Sequence, residues 1–235
     1  MEPIARPLSL TETVLAQLRL AIVRGDLALG APLSERVLAL KLGVSKTPVR
    51  EALAQLRLEG LVRIYPQRGA AVFTLSAREV KEICEFRQTL EAAALRLSLE
   101  RDRKGLAKDL EAAVAAMVGA RSDADTKAYL DADTEFHLAF FRHCGNTYLS
   151  ETYGLHVGKI AALRTHLAGK PLHTQRSFEE HCEIAAMVTS GDTTSLMAVL
   201  DRHIERTRLT YAETVEDIAQ ADAAASARQG GGFLP

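Results

Sequence analysis

No stretch of this 235-residue chain stays apolar long enough to span a bilayer, which excludes a transmembrane helix. The first ten residues, MEPIARPLSL, lack the apolar core of a secretory signal peptide, so a cytoplasmic protein is expected. Cysteine is scarce. Cys84, Cys144 and Cys182 are odd in number, widely spaced and set in helical patterns, which argues against a disulfide framework and predicts buried free thiols. No internal repeat stands out, and the HExxH signature of zinc proteases is absent. Net charge is small: 29 Lys and Arg against 30 Asp and Glu leave −1. That balance hides an asymmetry. Residues 1–75 carry 10 basic and 6 acidic side chains, whereas residues 76–235 carry 19 and 24. A basic start on an acidic remainder fits a chain that meets nucleic acid with one end only.

The most informative stretch runs from Leu33 to Phe73. Ser34 and Glu35 open a short helix with apolar positions at Val37, Leu38 and Leu42, and Gly43 suits the turn that ends it. Ser45 is placed to cap a second helix, its side-chain oxygen meeting a free amide of the first turn. Pro48 is tolerated there because the first-turn amides have no intrahelical partner. Val49, Leu53 and Leu56 form the inward face, while Lys46, Thr47, Arg50 and Arg57 point elsewhere. Those four are either a solvated face or, for Lys46, Thr47 and Arg50 in the first turns where amides and positive charge coincide, a phosphate-binding surface. Two short strands follow, Leu61 to Ile64 and Ala71 to Phe73, joined by the turn Pro66-Gln67-Arg68-Gly69 with a cation at its tip. This order predicts a winged helix-turn-helix, whose second helix enters the DNA major groove.

These segments resemble the DNA-binding domain of GntR-type bacterial transcription regulators. The matching pieces are GDLALG (Gly25 to Gly30), Leu33-Ser34-Glu35-Arg36, Gly43-Val44-Ser45, TPVREAL (Thr47 to Leu53) and Glu59-Gly60-Leu61, within about Thr11 to Phe73. The resemblance implies DNA contacts from Arg36, Ser45, Lys46, Thr47, Arg50, Arg68 and Gly69. Position 46, frequently Arg in such proteins, is Lys here and lacks the guanidinium fork of a bidentate base contact.

After Leu75 the periodicity is helical throughout. Helices are predicted at about 76–102, 105–119, 123–144, 147–168, 174–189 and 192–216, with a mobile Ala- and Gly-rich tail at 217–235. The expected fold is therefore mainly α: a winged helix-turn-helix over 1–75 and an all-α six-helix bundle over 76–216. Ionisable residues interrupt the apolar stripes of that bundle. Asp133 and His137, four apart, sit among Tyr129, Phe136 and Phe140; His181 falls with Phe178, Ala185 and Val188. His203 falls with Leu196, Val199 and Thr207, and Arg87 with Val80, Leu90 and Ala94. A single buried His is an ordinary core residue, but five such groups on four helices are most cheaply satisfied by convergence. Three imidazoles and a carboxylate suit a divalent metal of the zinc or nickel kind, with positions left open. Arg87 is then a clamp for an anion at that metal, or alternatively the partner of Glu91 one turn on. His143, His156, His166 and His173 lie off the stripes and are expected at the surface.

Residues from about Ser76 to Glu213 resemble the FCD ligand-binding domain of the FadR branch of the same family. The matching pieces are EFRQTLEAAAL (Glu85 to Leu95), DTEFHLAFFRHCGN (Asp133 to Asn146), EEHCEIAAMV (Glu179 to Val188) and GDTTSLMAVLDRHIERT (Gly191 to Thr207). Six helices are similar to the branch called VanR-like. The resemblance implies that Asp133, His137, His181 and His203 are metal ligands and that the pocket takes small carboxylates such as hydroxy or sugar acids. It also implies effector contacts from Asn146 and Arg164 beside Arg87. The expected function is a ligand-responsive repressor that binds a palindromic operator as a homodimer. A metal-dependent hydrolase fused to a DNA-binding head is the competing reading, since an open metal position activates water.

Overall fold

The computed structural model describes residues 9–65, 67, 69–167 and 171–230. They divide into two compact units, Met1–Thr74 with Gly154–His166, and Leu75–Tyr153 with Leu167–Pro235.

The first unit opens with α1 (Leu10–Val23), started by a reciprocal capping box: Ser9 Oγ accepts from Glu12 N–H, and Glu12 Oε2 accepts from Ser9 N–H at 2.7 Å. Helix α1 buries Val14, Leu18 and Ile22. Next come α2 (Glu35–Leu42), capped by Ser34, and α3 (Lys46–Leu58). Gly43 joins them in the left-handed region at φ 66°, a conformation that costs glycine nothing. Leu38 and Ala39 are the buried positions of α2, and Val37 is exposed, so its inward face is rotated by about a residue from the expected stripe. Val49, Ala52, Leu53 and Leu56 carry the inward face of α3, and Arg19 closes a two-pronged pair on Glu59 at its end, both contacts at 2.7 Å.

A three-stranded antiparallel sheet of β1 (Pro32–Leu33), β2 (Val62–Tyr65) and β3 (Gly69–Val72) completes the wing in the order β1-β3-β2. Val62 pairs with Val72 and Tyr65 with Gly69, and the two-residue β1 is an addition to the expected hairpin. The second half of α7 (Thr147–Leu167) belongs to this unit: Thr165 Oγ1 donates to Val23 O at 2.5 Å, and Lys159 lies over the Phe73 ring. Gly158 faces Leu61, where a Cβ would come within 3.2 Å of Cδ1. The expected division had kept that whole helix in the second domain.

The second unit is helical. Besides the first half of α7 it contains α4 (Ala77–Arg101), α5 (Arg103–Ser122), α6 (Thr126–His143), α8 (Pro171–Ser190) and α9 (Thr193–Gly230), six helices as the periodicity predicts. Ser76, Asp102 and Asp125 cap α4, α5 and α6, each accepting from the amide three residues on. Helix α5 packs on α6 and α8, α4 on α6 and α9, and α8 on α9. Leu106, Leu110, Met117, Phe136, Phe140, Ile184, Val188, Leu196 and Leu200 form the core. Helix α9 runs on to Gly230, so the segment expected as a mobile tail is helical up to there, and 231–235 lie outside the described residues. Alanine is the strongest helix former, and extending an existing helix carries no nucleation cost.

Candidate metal centre and nucleic-acid interface

In the first unit the start of α3 is laid open. Ser45 takes the N-cap backbone position at φ −72° and ψ 168°, but its hydroxyl makes no capping hydrogen bond, a departure from the expected cap. Ser45, Lys46, Thr47 and Arg50 are exposed around that turn, and Arg36 is exposed on α2. Arg50 is held by Glu35 through Nη2 at 2.8 Å and Nε at 3.1 Å, which fixes the guanidinium beside the α3 start and draws the Glu35 carboxyl below its usual range. Gly69 opens β3 at φ 88°, and Arg68, expected at the hairpin tip, lies outside the described residues.

In the second unit, α6, α8 and α9 bring His137, His181 and His203 together, with one ligand atom from each within 4.8 Å of the others. All three are buried. His181 Nε2 lies 3.3 Å from His137 Nε2, about the separation of two nitrogens held 2.0–2.1 Å from one tetrahedral ion. Asp133 stands beside the cluster, its Oδ1 3.7 Å from His181 Nε2, but outside the set of three mutually close donors.

The outer nitrogens are braced by acids that sequence reasoning had not assigned to the centre. His137 Nδ1 is 2.8 Å from Glu91 Oε2 and His203 Nδ1 is 2.9 Å from Glu180 Oε2. A carboxylate on Nδ1 selects the tautomer with its Nε2 lone pair free for a metal, the usual outer shell of a histidine–metal site. Burial lowers the His203 pKa against the pull of Glu180, which favours the neutral ring that ligation requires. Burial also raises the Glu180 carboxyl, but hydrogen bonds from His203 and Arg206 outweigh it and hold Glu180 at about 2. By donor type and arrangement, the residues present fit a divalent ion of the zinc class.

Arg87 and Glu91 are entirely buried, with Arg87 Nε donating to Glu91 Oε1 at 2.8 Å. Of the two sequence alternatives for Arg87, the structure shows the pairing with Glu91. Its Nε is paired with Glu91, and its Nη1 and Nη2 are buried without a hydrogen-bond partner among the described residues. Burial works against both charges, yet their mutual attraction, aided by His137 on the acid, holds Glu91 well below and Arg87 well above their usual ranges. Two buried, unsatisfied guanidinium donors are costly, and the planar fork they present matches a carboxylate.

Of the expected helpers, Asn146 spends its Oδ1 on Leu149 N–H at the start of α7, and Arg164 is buried in the half of α7 that belongs to the first unit. The four remaining histidines are half-buried rather than exposed. His143 bridges Asp102 at 2.7 Å and Asp109 at 3.1 Å.

A winged helix-turn-helix joined to an all-helical, histidine-lined unit defines a two-domain transcription regulator. Residues 10–72 match the bacterial regulatory proteins of the gntR family and residues 82–206 match the FCD domain. The chain belongs to the GntR family of regulators, in the group that carries an FCD domain. A relative in Paenarthrobacter nicotinovorans, named for repression of a D-xylose utilization operon, is 30% identical over 82% of this chain and 86% of its own. The gluconate operon transcriptional repressor of Bacillus subtilis is 32% identical over 57% of this chain and 54% of its own. A GntR regulator from Rhodococcus sp. RHA1 shares the fold with a TM-score of 0.77 at 23% identity, covering 86% of this chain and 96% of the other. The family and these relatives are regulators, which removes the hydrolase alternative. Among the described residues no helix is long and apolar enough to cross a membrane.

Proposed function

We propose that this chain is a cytoplasmic repressor that binds a palindromic operator as a homodimer and releases it on sensing a small carboxylate metabolite at a metal centre. The observation that carries the ligand half of the reading is the convergence of three buried imidazoles next to a guanidinium with two donors that are unpaired among the described residues. His137, His181 and His203, with Asp133 beside them, would hold zinc or nickel, and the metal would supply a Lewis-acid site for one oxygen of the ligand. Arg87 would pair with its carboxylate. A relative named for a gluconate operon fits that ligand chemistry.

The DNA half rests on Arg36, Ser45, Lys46, Thr47 and Arg50, with Arg68 and Gly69 from the wing, as the surface that meets the operator. One winged head covers one half-site, so a dimer is needed to read a palindrome with centres about 34–36 Å apart. Elemental analysis of protein purified without chelator should find zinc or nickel, and sedimentation should give a dimer. A thermal-shift screen of hydroxy and sugar acids on the loaded protein should find a stabilising ligand. Protein that contains no metal and takes up neither zinc nor nickel would overturn the metal centre. A monomer at micromolar concentration, with or without DNA, would overturn the dimer.

A further inference from the structure

The two acids that brace the histidines differ in what else they hold. Glu180 accepts from His203 and otherwise turns to Arg206, at 2.6 Å, and Arg202, both of which line a groove of about 480 Å³ between α8 and α9. Its neighbours lead away from the cluster. Glu91 is fully buried and shared inward: Oε2 meets His137 Nδ1 at 2.8 Å, while Oε1 accepts from Arg87 Nε and from Tyr153 O–H, each also at 2.8 Å. One carboxylate thus holds a member of the histidine cluster with one oxygen and the anion-pairing guanidinium with the other. With Nε fixed on Oε1, the plane of the guanidinium is set and its Nη1–Nη2 edge is the edge left to a ligand.

We propose that Glu91 is a positioning residue that fastens Arg87 to His137, so that anion affinity and metal affinity both depend on it, whereas Glu180 serves the metal alone. The proposal rests on the reading that the histidines hold a metal and Arg87 an anion. It adds that removing Glu91 weakens anion binding even when the metal site is full, because the guanidinium loses the anchor that aims it.

The test uses the full chain, zinc and acetate, a small carboxylate that binds zinc only weakly in water. Zinc affinity is read by chelator competition, and acetate affinity by calorimetry at saturating zinc. Glu180→Gln should lose about 10–100-fold in zinc affinity and keep wild-type acetate affinity on the loaded protein. Glu91→Gln, which keeps the length and drops the charge, should lose zinc affinity similarly and bind acetate about tenfold more weakly at saturating zinc. Glu91→Asp keeps the charge that balances buried Arg87 and guards against a Gln variant that fails to fold; one methylene shorter, it cannot span both partners and should show the same double loss. Loaded Glu91 variants that bind acetate like wild type, while Arg87→Met loses it, would overturn the coupling alone. A wild type that takes up no zinc, or an Arg87→Met protein with undiminished acetate affinity, would overturn the underlying reading and the coupling with it.

Discussion

His173 carries a clear pH signature at the scale of a single residue. Burial first, and the neighbouring Arg206 guanidinium second, push its pKa down to about 4. Its Nδ1 lies 2.9 Å from Arg206 Nη1, a donor that only a neutral imidazole can accept from. The unfolded chain takes a proton at this position near pH 6.5, whereas the folded chain refuses it down to about 4. More protons are bound by the unfolded state in that window, so stability falls as pH drops from about 6.5 to about 4 and levels off below. Urea unfolding of metal-free protein at pH 7 and pH 5 should show the loss, and His173→Asn should shrink it; an unchanged difference in the variant would remove His173 as the cause. The same scale shows what the sequence could and could not reveal. His137, His181, His203, Asp133 and Arg87 were legible because each breaks an apolar stripe. Glu91 read as the i+4 partner of Arg87, and Glu180 drew no reading of its own within the segment EEHCEIAAMV. The available signal was helical phase, since Glu180 lies four residues before buried Ile184, and Glu91 lies between Arg87 and Leu95 on the buried face of α4.

Among the elements, α3 carries the DNA prediction. Its inward residues are fully committed to the core, while the residues at its start are exposed, so the two faces can be changed independently. Lys46→Ala and Arg50→Ala should each weaken specific binding by about 1–3 kcal/mol where a base is read, with little change in melting temperature. Arg50→Ala also frees Glu35, whose carboxylate then faces phosphate without its cation. Normal operator affinity in both variants, measured at fixed salt, would move the interface off this helix. Helix α1 drew no reading, but from α2 onward helix existence and order were readable from periodicity and caps, down to Ser34, Gly43 and Ser76. Two features were not. The tail from Ala219 was read by its lack of anything to bury, while local propensity lets α9 continue through it. Helix α7 is continuous in sequence pattern, and only tertiary contacts such as Thr165 with Val23 assign its second half to the first unit.

At the scale of the molecule, the proposed metal joins parts of the chain that have no covalent reason to stay together. His137, His181 and His203 come from α6, α8 and α9, and Glu91 ties α4 to the same cluster through His137. Without an ion, three imidazoles lie within a few ångströms of one another in a buried cluster that also holds Asp133, Glu91, Arg87 and Glu180 and packs against Phe136 and Phe140. An ion bound only by the folded state stabilises it by about 4 kcal/mol when its free concentration is a thousand times the dissociation constant. Thermal unfolding should therefore shift upward with zinc and downward with chelator. His203→Ala removes one of the three donors and leaves Glu180 still held by Arg206, so its carboxylate is not stranded. That variant should melt near chelated wild type and respond weakly to added zinc. Lowering the pH through the histidine range should abolish the zinc shift in wild type, because a protonated imidazole has no lone pair to give. If zinc stabilised His203→Ala as much as wild type, the ion would be sitting elsewhere, and the buried histidines would have to be a hydrogen-bonded core.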